Sequence, residues 1–143
     1  MKIKKLNPNA TIPTQATPGS AGFDLYACLD KSAVILPGRT YRIPTGLAIQ
    51  MTPGLVGLIY ARSGTAIKQG LRPANCVGVI DCDYRGEYIV ALHNDSDEIR
   101  VVNHGDRIAQ LVFTHYVTPT WEETDELDDT DRGAGGFGST GTN

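Results

Sequence analysis

Cysteine, net positive charge and long apolar runs are all scarce in this chain, and each scarcity excludes something. Cys28, Cys76 and Cys82 are odd in number and show no CxxC spacing, which predicts reduced thiols in a cytosol-like compartment. The formal net charge is −3, so a dedicated nucleic-acid binder, with its basic stripe for phosphates, is not expected. Local basic clusters can still take a small anionic ligand. No apolar run follows Met1-Lys2-Ile3-Lys4-Lys5, and none approaches the ~20 residues of a membrane span. Neither a signal peptide nor a membrane segment is expected, and a cytoplasmic location is. His93, His104 and His115 stand far apart with no matching Cys or Asp pattern, which points to structural or surface roles over metal ligation. Walker and GxGxxG loops are absent, and no Ser-His-Asp arrangement can be argued.

What is present is turn chemistry. The 143 residues fit one domain, and 16 glycines with 8 prolines are scattered along them. Short apolar runs fall between these breakers, at 2–6, 23–29, 34–36, 40–43, 46–51, 55–60, 77–80, 87–92, 98–102 and 107–117. Many short strands at this spacing fit a β-sandwich, jelly roll or barrel. The segment from Ser63 to Gly70 differs: Ser63 can cap a short helix and Gly70 can end it in a left-handed conformation. Beyond Trp121 the character changes. Residues 122–131 hold seven acidic side chains and read as a solvated linker; residues 132–141 hold five glycines with Arg132 and Phe137 among them. The division is therefore a β core over 1–121 and a linker with a Gly-rich end over 122–143. That end reads either as a frayed terminus or as a lid, with bare amides and Arg132 for phosphate and Phe137 to stack on a base.

Three internal segments can carry chemistry. In Ala61-Arg62-Ser63-Gly64 a strand runs into the expected helix; Arg62 can fork onto phosphate oxygens and the Ser63 hydroxyl can donate beside it. The alternative is a helix cap with a surface arginine. The stretch from Gly78 to Tyr88 reads as a hairpin whose tip exposes backbone groups to a nucleobase edge. Asp81 follows three apolar residues there and can orient and deprotonate a water, or can be a solvated turn carboxylate. Tyr84 can be a cross-strand aromatic or can pack flat on a sugar. In Gly105-Asp106-Arg107-Ile108-Ala109-Gln110-Leu111, strand alternation puts Ile108, Gln110 and Val112 on one face. Gln110 among apolar neighbours needs a partner, either a ligand or a network with Asp106 and Arg107.

Taken together, these segments resemble the trimeric dUTPase family, whose five ordered motifs all have counterparts here. They are Pro18-Gly19-Ser20-Ala21-Gly22-Phe23-Asp24-Leu25-Tyr26; Ala61-Arg62-Ser63-Gly64-Thr65-Ala66; the stretch from Asn75 to Gly86; Gly105-Asp106-Arg107-Ile108-Ala109-Gln110-Leu111; and Arg132-Gly133 followed by Gly135-Gly136-Phe137-Gly138-Ser139-Thr140-Gly141. The resemblance implies a jelly-roll subunit, a homotrimer with strand exchange near the C-terminus, and three sites each built by three chains. It implies hydrolysis of dUTP to dUMP and pyrophosphate, which limits uracil incorporation into DNA and supplies dUMP for thymidylate synthesis. By position, Asp81 is expected to activate water, Tyr84 to lie under deoxyribose, and Asn75, Gly78, Val79, Ile80 and Ile89 to contact uracil and sugar. Arg62, Ser63, Gly64 and Gln110 are expected on the phosphates, and Arg132, Phe137, Gly138 and Ser139 in the lid. Mg2+ is expected to be held by the triphosphate and waters with no direct protein ligand, and Asp24 to stand near it.

Three positions depart from the family pattern: Ala61 where proline is common, Thr65 where an apolar residue is common, and Ala134 where a polar one is. The resemblance also touches dCTP deaminases, which share the fold but lack the Gly-rich fifth motif. A silent binding module on the same scaffold would not need Asp81, Tyr84 and Arg132.

Overall fold

Proline and glycine punctuation cuts the backbone into short strands in the computed structural model, which describes residues 1–136. Eleven strands and one helix are found among the described residues. In chain order they are β1 (Lys2–Lys5), β2 (Phe23–Tyr26), β3 (Ala33–Ile35), β4 (Thr40–Pro44), β5 (Leu47–Gln50), β6 (Leu55–Tyr60), α1 (Ser63–Gln69), β7 (Leu71–Pro73), β8 (Gly78–Ile80), β9 (Ile89–Asn94), β10 (Arg100–Val102) and β11 (Arg107–His115). The strands form four antiparallel sheets ordered β1-β5, β10-β3, β2-β11-β6-β8 and β4-β9-β7. Sequence neighbours are rarely ladder neighbours, which is the mark of a jelly-roll-like all-β fold.

Alternation along each strand feeds one core. Leu25 on β2, Ile35 on β3, Ile43 on β4, Val90 and Leu92 on β9 and Leu111 on β11 are all fully or almost fully buried. The middle of β9 shows the period plainly, with Val90, Leu92 and Asn94 inward. Asn94 is the polar exception, and it is satisfied: its Nδ2 donates to the carbonyls of Ile35 and Glu98, and its Oδ1 accepts from the Ser96 amide and hydroxyl.

Several sequence expectations are corrected. α1 takes Arg62 as its N-cap, in an extended conformation and without a side-chain cap bond, so Ser63 is the first helical residue and not the cap. Gly70 does close the helix, at φ 64°. Residues 78–88 are not a hairpin. β8 pairs with β6, while β9 pairs with β4 and β7, so the loop between them carries the chain from one sheet to another. The second strand accordingly begins at Ile89 and not at Glu87. β7 was not expected, being three residues long and ending in proline. On β11 a register shift between Arg107 and Ala109 breaks the alternation, so Ile108 and Ala109 are both buried and Ile108 does not continue the Gln110 face.

Tyr88 is fully buried, and its hydroxyl has no hydrogen-bond partner among the described residues. Burial pushes its phenol up to about 12. The unfolded chain ionises the same group near 10, so the contribution of this group to stability is complete below pH 10 and is lost as pH rises from 10 to about 12. The expected slope is roughly 1 kcal/mol per pH unit. Urea unfolding of the parent and of Tyr88→Phe at pH 8, 10, 11 and 12 checks this: the variant should match or exceed the parent at pH 8, and its advantage should widen above pH 10.

Candidate functional site

Register across three strands builds one wall. Asp24 on β2 pairs with Gln110 on β11, and Gln110 pairs with Tyr60 on β6, so the three stand in a row across the sheet. Two residues beyond Tyr60 the chain reaches Arg62 and turns into α1. These residues, with Ser20, Ala21, Gly22 and Ser63, line a cavity of about 420 Å3. Gly64, the next residue, is exposed at the start of α1, and a β-carbon there would meet nothing within 4 Å.

Asp24, Arg62 and Gln110 on this wall are held in place. Asp24 is mostly buried and takes two guanidinium groups: Arg62 Nε at 2.7 Å on one oxygen and Arg107 at 3.2 Å on the other. The Gln110 Nε2 donates to the Ala61 carbonyl at 2.8 Å. Its Oε1 lies so close over Gly22 that a β-carbon there would sit 2.7 Å from it. A side chain at that position would have to displace the Gln110 carboxamide. The partner of Gln110 is thus a backbone carbonyl, not the network with Asp106 and Arg107. Only the carbonyl of Ala61 is used, so alanine in place of proline costs this contact nothing, and Thr65 is buried in α1.

A second cavity, of about 290 Å3, opens where the chain leaves β8. Val79, Ile80, Asp81, Tyr84 and Ile89 line it, with Arg42 and Glu87. β8 is the last strand of its sheet, so its outer edge has backbone groups without a ladder partner. Asp81 is exposed, and among the described residues its carboxylate makes no hydrogen bond or ion pair. Tyr84 folds over Gly86 and donates from its hydroxyl to the Glu87 carbonyl at 3.1 Å. Gly78 is buried, and Asn75 approaches it from the turn before β8.

The expected site residues therefore divide. Arg62, Ser63 and Gln110 meet at one cavity, with Asp24 beside them, and Val79, Ile80, Asp81, Tyr84 and Ile89 at another; Asn75 lines neither. Arg132 sits in a turn of the C-terminal segment, donating from Nε to the Gly135 carbonyl. Phe137, Gly138 and Ser139 lie outside the described residues. Arg107 was missed as a partner of Asp24, and their ion pair spans 83 positions with no local signal. No group of three His, Cys, Asp or Glu that could hold a metal occurs among the described residues, and the Asp24 carboxylate is already engaged by two arginines. No helix among them is long and apolar enough to cross a membrane.

The family model for dUTPase matches residues 8–141. The chain is 54% identical over 131 residues to a deoxyuridine 5'-triphosphate nucleotidohydrolase of Desulfitobacterium hafniense, covering 91% of this chain and 87% of that one. It is 45% identical over 141 residues to one from Syntrophotalea carbinolica, covering 99% and 96%. Among solved structures it resembles a variant dUTPase of Staphylococcus bacteriophage 80alpha with dUpNHpp, at TM-score 0.87 and 28% identity over 99% of this chain and 98% of that one. A variant dUTPase from phage phi11 of S. aureus, described with a structural Mg(II) ion, matches at TM-score 0.78 and 27% identity over 88% and 97%.

The Asp24 anchor generates a test in which two effects oppose each other. If charge alone governed the first cavity, Asp24→Ala would tighten its grip on an anion. Because Asp24 orients both guanidinium groups, the expected result is weaker binding of tripolyphosphate, on the order of tenfold, by isothermal titration calorimetry.

Proposed function

The chain belongs to the dUTPase family, and on that premise we propose that it converts dUTP to dUMP and pyrophosphate by Mg2+-assisted attack of water on the α-phosphorus. The observation that carries this reading is the cavity at the end of β8, where a strand edge, a tyrosine ring and a carboxylate unpaired among the described residues converge. Uracil offers acceptor, donor and acceptor along its pairing edge, and the outer edge of Val79 and Ile80 offers backbone amides and carbonyls to match. Cytosine puts a donor where uracil has its first acceptor, leaving a buried group mispaired, which can cost a factor of about 10^4. Thymine is excluded by its methyl group alone. Tyr84 lies against the deoxyribose and leaves no room for a 2′-hydroxyl. Asp81 takes the proton from the attacking water.

Arg62, Ser63, Gly64 and Gln110 hold the phosphates, and charge builds on those oxygens as water attacks in line. Mg2+, when bound, would be held by the triphosphate and water and would supply charge compensation there. The base cavity and the phosphate cavity are separate within one chain. That separation supports a homotrimer whose sites join one chain's β8 cavity to another's Arg62 wall. The segment after β11 also supports it: Val117, Trp121 and Leu127 are almost fully exposed in the single chain. Arg132, with Phe137, Gly138 and Ser139, closes the site from a third chain. In the cell this activity keeps uracil out of DNA and supplies dUMP for thymidylate synthesis in the cytoplasm.

The substrate panel dUTP, dCTP, dTTP and UTP with Mg2+ tests the reading: pyrophosphate should form from dUTP alone, whereas ammonia from dCTP would identify a deaminase. Asp81→Asn should keep nucleotide affinity within a few-fold and lower kcat by about 10^2 to 10^4. Turnover close to that of the parent would remove Asp81 as the base.

A further inference from the structure

The loop after β8 is tied to a part of the molecule that none of the five motifs contains. Glu87 lies just past the third motif and lines the β8 cavity beside Tyr84. Its carboxylate Oε1 accepts from the Gly46 amide at 2.7 Å, and its backbone carbonyl accepts from the Tyr84 hydroxyl at 3.1 Å. Gly46 stands in the tight turn between β4 and β5, at φ 68°, where a β-carbon would press on Ala10, Cys28 and Asn7. That turn cannot easily move. The next residue reinforces the attachment: the Tyr88 amide donates to the Leu47 carbonyl at 2.8 Å, and the Thr45 hydroxyl donates to the Tyr88 carbonyl at 2.6 Å. Tyr84 itself is half-exposed and belongs to no strand. Its ring rests on Gly86, where any β-carbon would overlap it, and lies 6.2 Å from the Tyr88 ring between centroids, while its hydroxyl is held by the Glu87 carbonyl.

We propose that Glu87 is a positioning residue for sugar discrimination, setting the height of the Tyr84 ring by linking it to the β4–β5 turn. The inference rests on the reading of Tyr84 as the deoxyribose platform. Excluding a 2′-hydroxyl depends on a gap smaller than one oxygen atom, so a ring free to tilt admits it. The hydrogen bonds concerned are ordinary ones, but one of them is to a charged group in a partly buried place, and losing it loosens the loop. Glu87→Gln keeps an acceptor at the same reach and should preserve the geometry.

The test is the ratio of kcat/KM for dUTP to that for UTP, measured with thermal stability on the same samples. Glu87→Ala should lower the ratio about tenfold, mainly by letting UTP turn over, and Glu87→Gln should restore it to within about twofold of the parent. Tyr84→Phe keeps the ring and cuts only its hydroxyl link, so it should lower the ratio in the same direction without depending on the fold of the Glu87 variants. A Glu87→Ala protein that melts earlier but keeps its full ratio overturns the proposal, because a purely structural role moves the melting temperature alone. A Tyr84→Phe protein with an undiminished ratio overturns it as well. Tyr84→Ala separates the premise from the inference: if it leaves the ratio intact, the platform reading itself fails, whereas a lowered ratio there with an intact one in Glu87→Ala defeats only the role of Glu87.

Discussion

The Gln110 carboxamide is the point on which fold and site both depend. Its Nε2 reaches the Ala61 carbonyl and its Oε1 presses on Gly22. One side chain on β11 thus fixes the exit of β6 and the entry to β2. It can do so because β11 lies between those two strands and pairs with both. The same register sets Asp24 and Tyr60 on either side of it. A half-buried amide in such a place has to be paired, and here its Nε2 pairs with a backbone carbonyl while its Oε1 lies over a glycine. A donor set held by such contacts suits the stabilisation of developing charge that the proposed function asks of this wall.

Asp24 adds the electrostatic part. Two guanidinium groups gathered near an anion site would repel each other and drift toward water. A mostly buried carboxylate between them offsets that repulsion and orients each fork. Two guanidinium groups against one carboxylate leave one surplus positive charge.

Much of this was readable from the residues, and most of the misses share one cause. Pro and Gly breakers located most of the strands, and the Gly70 terminus of α1 followed from glycine's access to φ 64°. The motifs named Arg62, Asp81, Tyr84 and Gln110. What local sequence could not provide was partnership. Two apolar runs around a polar turn look like a hairpin whether they join each other or, as with β8 and β9, join different sheets. The ties from Asp24 to Arg107 and from Glu87 to Gly46 likewise join positions far apart in the chain. Ser63 failed as a cap for a local reason of its own: the chain leaving β6 stays extended through Arg62, which takes the cap position and frees the Ser63 hydroxyl to face the cavity rim.

That last displacement bears on chemistry. A serine spent on capping has its oxygen committed to the helix backbone as an acceptor. With Arg62 in the cap position, the Ser63 oxygen is uncommitted among the described residues and lies on the same cavity as the Arg62 guanidinium. Arg62 is in turn aimed by Asp24, so neighbours along the chain receive their orientation from different sources, one from a distant strand and one from the start of a helix. The wall is therefore preorganised by tertiary contacts more than by the helix itself, which at seven residues is too short to be stable alone. The strands β2, β11 and β6 that carry the wall also carry Leu25, Ala109, Leu111 and Ile59 of the core, so a change in their register would reach the wall and the core together.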